Sequence, residues 1–308
     1  MSPLPYILRR LLQAVPTVVI VVTAVFLAIR LAPGDPAAQI LGLNASEEAI
    51  ARVHAELGLD DPVWQQYLRY WSDALRGDMG VSYRTREPVF DALVAAFGHT
   101  LLLAVSALAL ATVVSLPLGV WAATTRSPWV DRALTTVASL ALATPVYWLG
   151  LLMMLVFSLR LGVLPSTGSG TWRHLVMPAV AVSIASMAHI MRLTRASMLE
   201  ALAQPFVTVA RSKGVRRVRL VAKHALRNAL LPVTTQVGLQ FGNLLGGSVL
   251  TETVFAWPGL GRLVVNAVYA RDFPLIQGAI VALSLIYIVV NLLVDVVYSF
   301  LDPRVQLA

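Results

Sequence analysis

Residues 200–232 read EALAQPFVTVARSKGVRRVRLVAKHALRNALLP. Two helix-length patterns meet at one glycine, Gly214. In the first, Leu199, Leu202, Phe206 and Val209 recur at steps of three and four, which places them on one helical face. Pro205 suits the first turn of a helical piece, where its missing N–H is not needed. Gly214 turns the chain without steric cost. In the second pattern Arg216, Arg219, Lys223 and Arg227 share a face, and Val218, Val221, Ala222, Ala225 and Ala229 share another. Between Arg192 and Arg227 nine Arg or Lys residues stand against the single acid Glu200. Apolar runs flank the stretch on both sides, so this charge excess places it on the cytoplasmic side of a membrane. Charge of this kind, taken alone, fixes topology or touches anionic lipid. The helix–glycine–helix order, with one apolar and one basic side, adds a surface suited to a cytoplasmic partner.

The composition around this stretch is that of a membrane chain. Of 308 residues, 57% are apolar and 13% charged, and the mean hydropathy is +0.74. Soluble domains are nearer about half apolar and about a quarter charged. The net charge of +8 is concentrated rather than spread, which argues against nucleic-acid binding. Without cysteine, disulfides, Cys-ligated zinc and thiol catalysis are excluded.

Arg9 and Arg10 precede an apolar run at 11–29, close to the roughly 20 residues a spanning helix needs. The run is long for a signal peptide and lacks a small-x-small cleavage site, and five further spans speak against a twin-arginine signal. It reads as an uncleaved first helix. Pro33, Gly34 and Pro36 end it. A polar insert with more acids than bases follows, to about residue 98, read as lying on the outer side. Ser46 is the expected N-cap of a helix over 46–57, residues 58–62 form a turn, and a second helix carries Trp64, Tyr67, Tyr70 and Trp71. These aromatics form the insert's own small core or lie at the membrane interface.

Further spans are expected at 100–123, 133–159, 175–191, 232–250 and 276–300. Pro117 and Gly119 sit inside the second, and Pro145 and Trp148 near the middle of the third. The fourth is rich in small residues that permit close helix approach, with His189 as an interfacial histidine. In the fifth, Gln236, Gln240 and Asn243 share a face, as interhelical hydrogen-bonding groups or as pore lining. Gly242, Gly246 and Gly247 permit a close crossing there. Leu260, Leu263, Val264 and Ala267 form a stripe that predicts a short interfacial helix. Asn291 and Asp295 share a face of the sixth span, with Asp295 near the headgroups or paired. The organisation is a first helix at 1–31, an extracytoplasmic insert at 32–98 and a core at 99–308 carrying the loop 195–232. Both termini are expected in the cytoplasm.

Several stretches carry a family resemblance: IRLAPGDP at 29–36, GLDDP at 58–62, RGDMGVSY at 76–83, RLTRASMLE at 192–200, KHALRNALLP at 223–232, ETVFAWPGLGRL at 252–263 and LLVDVVYSFLDPR at 292–304. The chain resembles the B-type permease of dipeptide and oligopeptide ABC importers, whose relatives also carry nickel, glutathione or haem. The resemblance implies an all-α integral membrane protein with six transmembrane helices of the type I ABC importer permease fold. Residues 195–232 then resemble the EAA loop, which couples such permeases to their ATPases. Matched to that motif, Glu200, Ala201, Leu202, Phe206, Ala210, Lys213 and Gly214 are the expected coupling residues. Pro205 stands where relatives commonly have an acid, and Thr208 where they often have Arg. The implied partners are a second, C-type permease, two ATP-binding subunits and an extracytoplasmic solute-binding protein in a bacterial plasma membrane. ATP and Mg would sit on those partner subunits, with no cofactor on this chain.

The sequence lacks G-x-x-x-x-G-K-[ST], H-E-x-x-H and G-x-S-x-G. His54, His99, His174, His189 and His224 are scattered rather than grouped for a metal. A secondary transporter or channel is the rival reading, but its spans would offer little beyond Asp295 and His189 for ion coupling. An intramembrane protease is the third, and the absent motifs oppose it.

Overall fold

The structure is a computed structural model that describes residues 4–31, 35–41 and 46–301. The chain is helical throughout its named elements. In order they are α1 (Leu4–Leu31), α2 (Pro36–Leu41), α3 (Glu47–Leu57), α4 (Val63–Leu75), α5 (Val89–Thr124), α6 (Pro128–Ala143) and α7 (Val146–Met153). A π-helical turn, Met154–Arg160, extends α7. There follow α8 (Trp172–Ala203), α9 (Pro205–Ser212), α10 (Arg217–Arg219), a second π-helical turn Leu220–Ala225, and α11 (Leu226–Gly247). Then come α12 (Val249–Val254), α13 (Leu260–Ala270) and α14 (Phe273–Leu301). The turn expected at 32–34 and the chain end expected at 302–304 lie outside the described residues, as do the side chains of Arg9, Arg10 and Asp295.

Among the described residues, three helices are long and apolar enough to cross a membrane: Val89–Thr124, Trp172–Ala203 and Phe273–Val294. The expected third span is not one straight helix. Pro128–Ala143 and Val146–Arg160 are bent by 100° at their junction. The cause is Pro145, which drives the preceding residue out of the α region. Thr144 is accordingly extended (φ −86°, ψ 122°), and its Oγ1 donates to the Leu140 carbonyl at 2.8 Å. The fourth span does not stop near Met191 but runs on to Ala203. The fifth begins at Leu226, with Pro232 inside the helix rather than at its start, and its amides and threonines keep α11 outside the apolar class.

The chain divides into two compact units. One is built mainly from Leu101–Trp257 together with the end of α14 from Val289. Small residues set its packing. A Cβ on Gly119 would lie 2.6 Å from the Thr194 Cβ and 2.8 Å from the Met191 carbonyl oxygen. Ser115 Oγ donates to the Met187 carbonyl at 2.9 Å. These contacts draw α5 and α8 together where larger side chains would hold them apart. Gly238 does the same for α11 and α14, where an added Cβ would lie 3.0 Å from the Val294 Cγ1. Among the described residues, a Cβ added at Gly242 would meet Asn291 and Val290, whereas one at Gly246 or Gly247 would meet nothing within 4 Å.

The second unit is Leu8–Thr100 with Pro258–Ile288. Ser46 caps α3 as expected, accepting from Ala49 N–H at 3.3 Å. The insert aromatics divide. Tyr67 and Tyr70 pack on Phe26 of α1, with centroids 5.1 and 6.2 Å away, while Trp64 is exposed. The Leu260–Ala267 stripe packs inward: Leu260 and Ala267 are buried and Leu263 and Val264 half-buried in one apolar cluster with Val89, Leu93, Ala96, Leu275 and Ala279. The short helix expected here is present, and Val268 and Tyr269 on its other side are exposed.

Asp272 closes this unit. It immediately precedes α14, and its Oδ1 accepts from Leu275 N–H at 3.4 Å, the geometry of a helix N-cap. The same carboxylate accepts from Ser82 Oγ and from the backbone N–H groups of Tyr83 and Arg84. The side chain is 1% exposed, so its charge is offset by these donors.

Candidate functional site: the loop between α8 and α11

The loop starts where α8 ends. Met198 and Ala201 on its last turns are buried against Ala225 and Ala229. Glu200 faces outward and Leu202 is half-buried. The chain leaves the helix through Gln204, which is extended (φ −69°, ψ 148°) and precedes Pro205 at the first position of α9. The face expected to run through Leu199, Leu202, Phe206 and Val209 is therefore broken between α8 and α9. In α9, Val207 is buried while Phe206 and Val209 are 37% and 53% exposed. Arg211, Ser212 and Lys213 are exposed too, and Ala210 is half-buried.

Gly214 ends α9 in the left-handed region, with φ +75°. Its N–H donates to the Arg211 carbonyl at 2.9 Å, and the Val215 N–H donates to the Ala210 carbonyl at 3.2 Å. These paired bonds form a Schellman turn, which satisfies the helix's last carbonyls and favours glycine at this position. The knob thus has a backbone-defined end. A Cβ at Gly214 would meet nothing within 4 Å, so conformation alone selects the residue.

Beyond Gly214 the expected faces shift. Leu220, Ala225 and Ala229 are buried and Val221 half-buried, whereas Val218 is 79% exposed and Ala222 also faces out. The π-helical turn Leu220–Ala225 accounts for the correction, because its wider turn changes which residues line up along one side. Beside α9 a groove of about 390 Å³ is lined by Glu200, Gln204, Phe206, Asn228, Leu231 and Pro232. Two further contacts hold the loop. Arg195 on α8 meets Asp131 of α6 side-on, Nε to Oδ1 at 2.5 Å and Nη2 to Oδ2 at 2.6 Å. Arg217 Nη2 donates to the Thr124 carbonyl at 2.5 Å.

The predicted coupling residues therefore lie on the last turn of α8 and on α9 with its closing turn, and do not share one role. Glu200, Phe206, Lys213 and Gly214 are exposed, and Ala201 is a packing residue. The three amides of α11 separate as well. Gln240 is buried and accepts from Ser186 Oγ at 3.2 Å, an α8–α11 hydrogen bond. Asn243 is exposed and Gln236 half-buried. Sequence reading missed Asp131, Arg195, Arg217 and Asp272. Arg195 stood inside the RLTRASMLE stretch, but only folding brings it to its acid.

A second cavity, about 790 Å³, lies in the insert unit, with Arg30, Asp35, His54, Tyr70, Asp73 and Gln277 among its walls. Several of its polar groups already bond one another. His54 bridges Asp35 and Asp60 at 2.8 and 3.1 Å, and Arg30 donates to Gln66 at 2.7 Å. Burial pushes the Tyr70 phenol up to about 12; the Gln277 amide lies near it and offsets this slightly without reaching good hydrogen-bond geometry.

Packed apolar helices with a structured basic loop between two of them give the described residues the architecture of a multi-helix membrane protein. The chain belongs to the family of binding-protein-dependent transport system inner membrane components, matched over residues 115–307, with that family's N-terminal region matched over 3–104. It is a permease subunit of an ABC importer. The glutathione transport system permease protein GsiC of Escherichia coli (strain K12) is 43% identical over 303 residues, covering 98% of this chain and 99% of that protein. The protein of the same name from Shigella dysenteriae serotype 1 is 43% identical over the same lengths. Among solved structures, an inward-facing MetNI methionine ABC transporter aligns with TM-score 0.58 at 20% identity, covering 68% of this chain and 96% of the other. An amino acid ABC transporter solved with histidines aligns with TM-score 0.53 at 19% identity, covering 70% and 94%. These two likenesses concern the fold.

Proposed function

We propose that this permease forms half of a translocation pathway for short peptides, in the size range of glutathione and dipeptides, and that α9 is the knob on which an ATP-binding subunit docks. The observation that carries the docking reading is the Schellman turn at Gly214. It holds a short helix whose Phe206 and Val209 project outward beside a groove. Exposed apolar side chains on a fixed backbone, rimmed by Arg211 and Lys213, fit a protein partner better than a lipid surface.

In this reading the loop is cytoplasmic, as its excess of Arg and Lys favours, and both termini share that side. A second permease completes the pathway, and a solute-binding protein delivers substrate at the outer face. ATP and Mg2+ are held by the ATPase pair. Docking can drive the permease between states only if α9 makes different contacts with the ATPases in each. The amides Gln236 and Asn243 are the pathway-lining groups, while Gln240 holds α8 to α11. The test is mild extraction of the tagged chain from native membranes, identification of stoichiometric partners, and assay of ATP turnover with peptide uptake. A second permease, ATPase subunits and ATP-dependent uptake are expected. A chain that purifies alone and moves substrate down an ion gradient in liposomes would overturn the reading in favour of a secondary transporter.

A further inference from the structure

Arg195 and Arg217 flank α9 in the chain, one before it and one after, and both reach the junction between α5 and α6. Arg195 grips Asp131, in the first turn of α6, through two nitrogens. Arg217 bonds the carbonyl of Thr124, the last residue of α5. Between these points the chain only turns, with Thr125 N–H on the Trp121 carbonyl and Ser127 N–H on Thr125 Oγ1. The two ties differ in kind. The Asp131–Arg195 pair is about one-third exposed on each side, and its two-point contact fixes orientation as well as distance. The Arg217 tie is a single exposed bond to backbone.

The packing beneath them joins the same three helices. Around Ala122, Ala138, Ala188 and Met191 the α5, α6 and α8 helices meet through alanines together with Met191 and the half-buried Leu118, Leu134 and Leu142. To that packing the two arginines add directional polar ties, from the chain on either side of α9 to the α5–α6 turn. We propose that Asp131, Arg195 and Arg217 are positioning residues that make the α5–α6 turn follow α9, so that movement of the knob is passed to two helices besides α8. The proposal rests on the docking reading above.

The experiment uses the complete complex in liposomes, with peptide uptake and ATP hydrolysis measured side by side at equal amounts of assembled complex. Asp131→Asn, Arg195→Gln and Arg217→Ala should each lower uptake per ATP about tenfold while hydrolysis continues. Arg217→Lys keeps a donor and should stay near wild type. Exchange of the charged pair, Asp131→Arg with Arg195→Asp, should restore most of the coupling lost in the single variants. The last two variants keep the test decisive if a single variant fails to fold. Normal uptake in all three single variants, an equal fall in uptake and hydrolysis, or an exchange that restores nothing would each overturn the proposal. A wild-type chain that binds no ATPase would instead defeat the docking reading, and this proposal with it.

Discussion

Two turns in this molecule are closed by opposite means. At Gly214 the bonds are backbone to backbone, from Gly214 and Val215 to Arg211 and Ala210, and the neighbouring side chains are left facing outward. At Asp272 a buried carboxylate draws in Ser82, Tyr83, Arg84 and the start of α14. The first arrangement fixes a shape and keeps its side chains available to a partner. The second uses up its polar groups internally. Substitutions on the exposed side of α9 should therefore alter function at constant stability, and substitutions at Asp272 should alter stability first.

The largest expected effect tests the first half of that contrast. Phe206→Asp combined with Val209→Asp should weaken ATPase association about 30-fold or more, the scale of losing interface anchors. The thermal midpoint of the purified chain should not move. A fall in that midpoint of several degrees would show that these side chains support the fold instead. Gly214→Pro comes next. Its ring fixes φ near −65° and removes the N–H that bonds Arg211, so peptide uptake should drop close to background while the protein still reaches the membrane. Normal uptake would mean that the turn is dispensable for coupling.

Asp272→Ala probes the other side. It leaves Ser82 and three backbone N–H groups without their buried acceptor, at a cost of about 3 kcal/mol. Thermal unfolding in detergent reads this as a clear decrease in midpoint, and an unchanged midpoint would remove Asp272 from its closing role. Gly214→Ala should be milder, about 1 kcal/mol for a non-glycine residue in the left-handed region, because the site has room for a Cβ. Uptake should survive it, in contrast to the proline variant.

The smallest effect concerns the insert. Hydrogen bonds to Asp60 and then Asp35 raise the His54 pKa above its ordinary value. A raised folded pKa means that the stabilisation is fully present below about pH 6.5 and is lost as pH rises through the raised value. Hydrogen-exchange protection at α3, with the intrinsic exchange rate divided out, should therefore fall with rising pH across that window, and His54→Ala should flatten the trend. A trend of opposite sign would contradict the assignment.

These contrasts also show what could be read in advance. Pro205 and Gly214 announced the ends of α9 because each restricts its own backbone dihedrals, and Ser46 announced α3 for the same local reason. The spanning helices follow from the length of the apolar runs, and the all-α permease fold from the family resemblance. What escaped depends on distant partners or on accumulated turn geometry. Asp131 and Arg195 lie 64 residues apart, and Ser82 and Asp272 lie 190 apart, separations at which residue type carries no pairing signal. The exposed Val218 was misplaced because a regular 3.6-residue period was carried through a π-helical turn. Pro145 was visible as a proline, but whether it kinks or breaks a span depends on neighbours that satisfy the freed backbone groups. Gln240 could be read as buried glue only once Ser186 was seen opposite it.

The most direct measurement places a photocrosslinking side chain at Val209 of the tagged chain, irradiates intact cells and identifies the adduct by mass spectrometry. Crosslinking to an ATP-binding subunit, reduced by the Gly214→Pro variant, is the predicted result. Crosslinking to lipid or to an extracytoplasmic binding protein, with no ATP-binding subunit captured, would contradict the account.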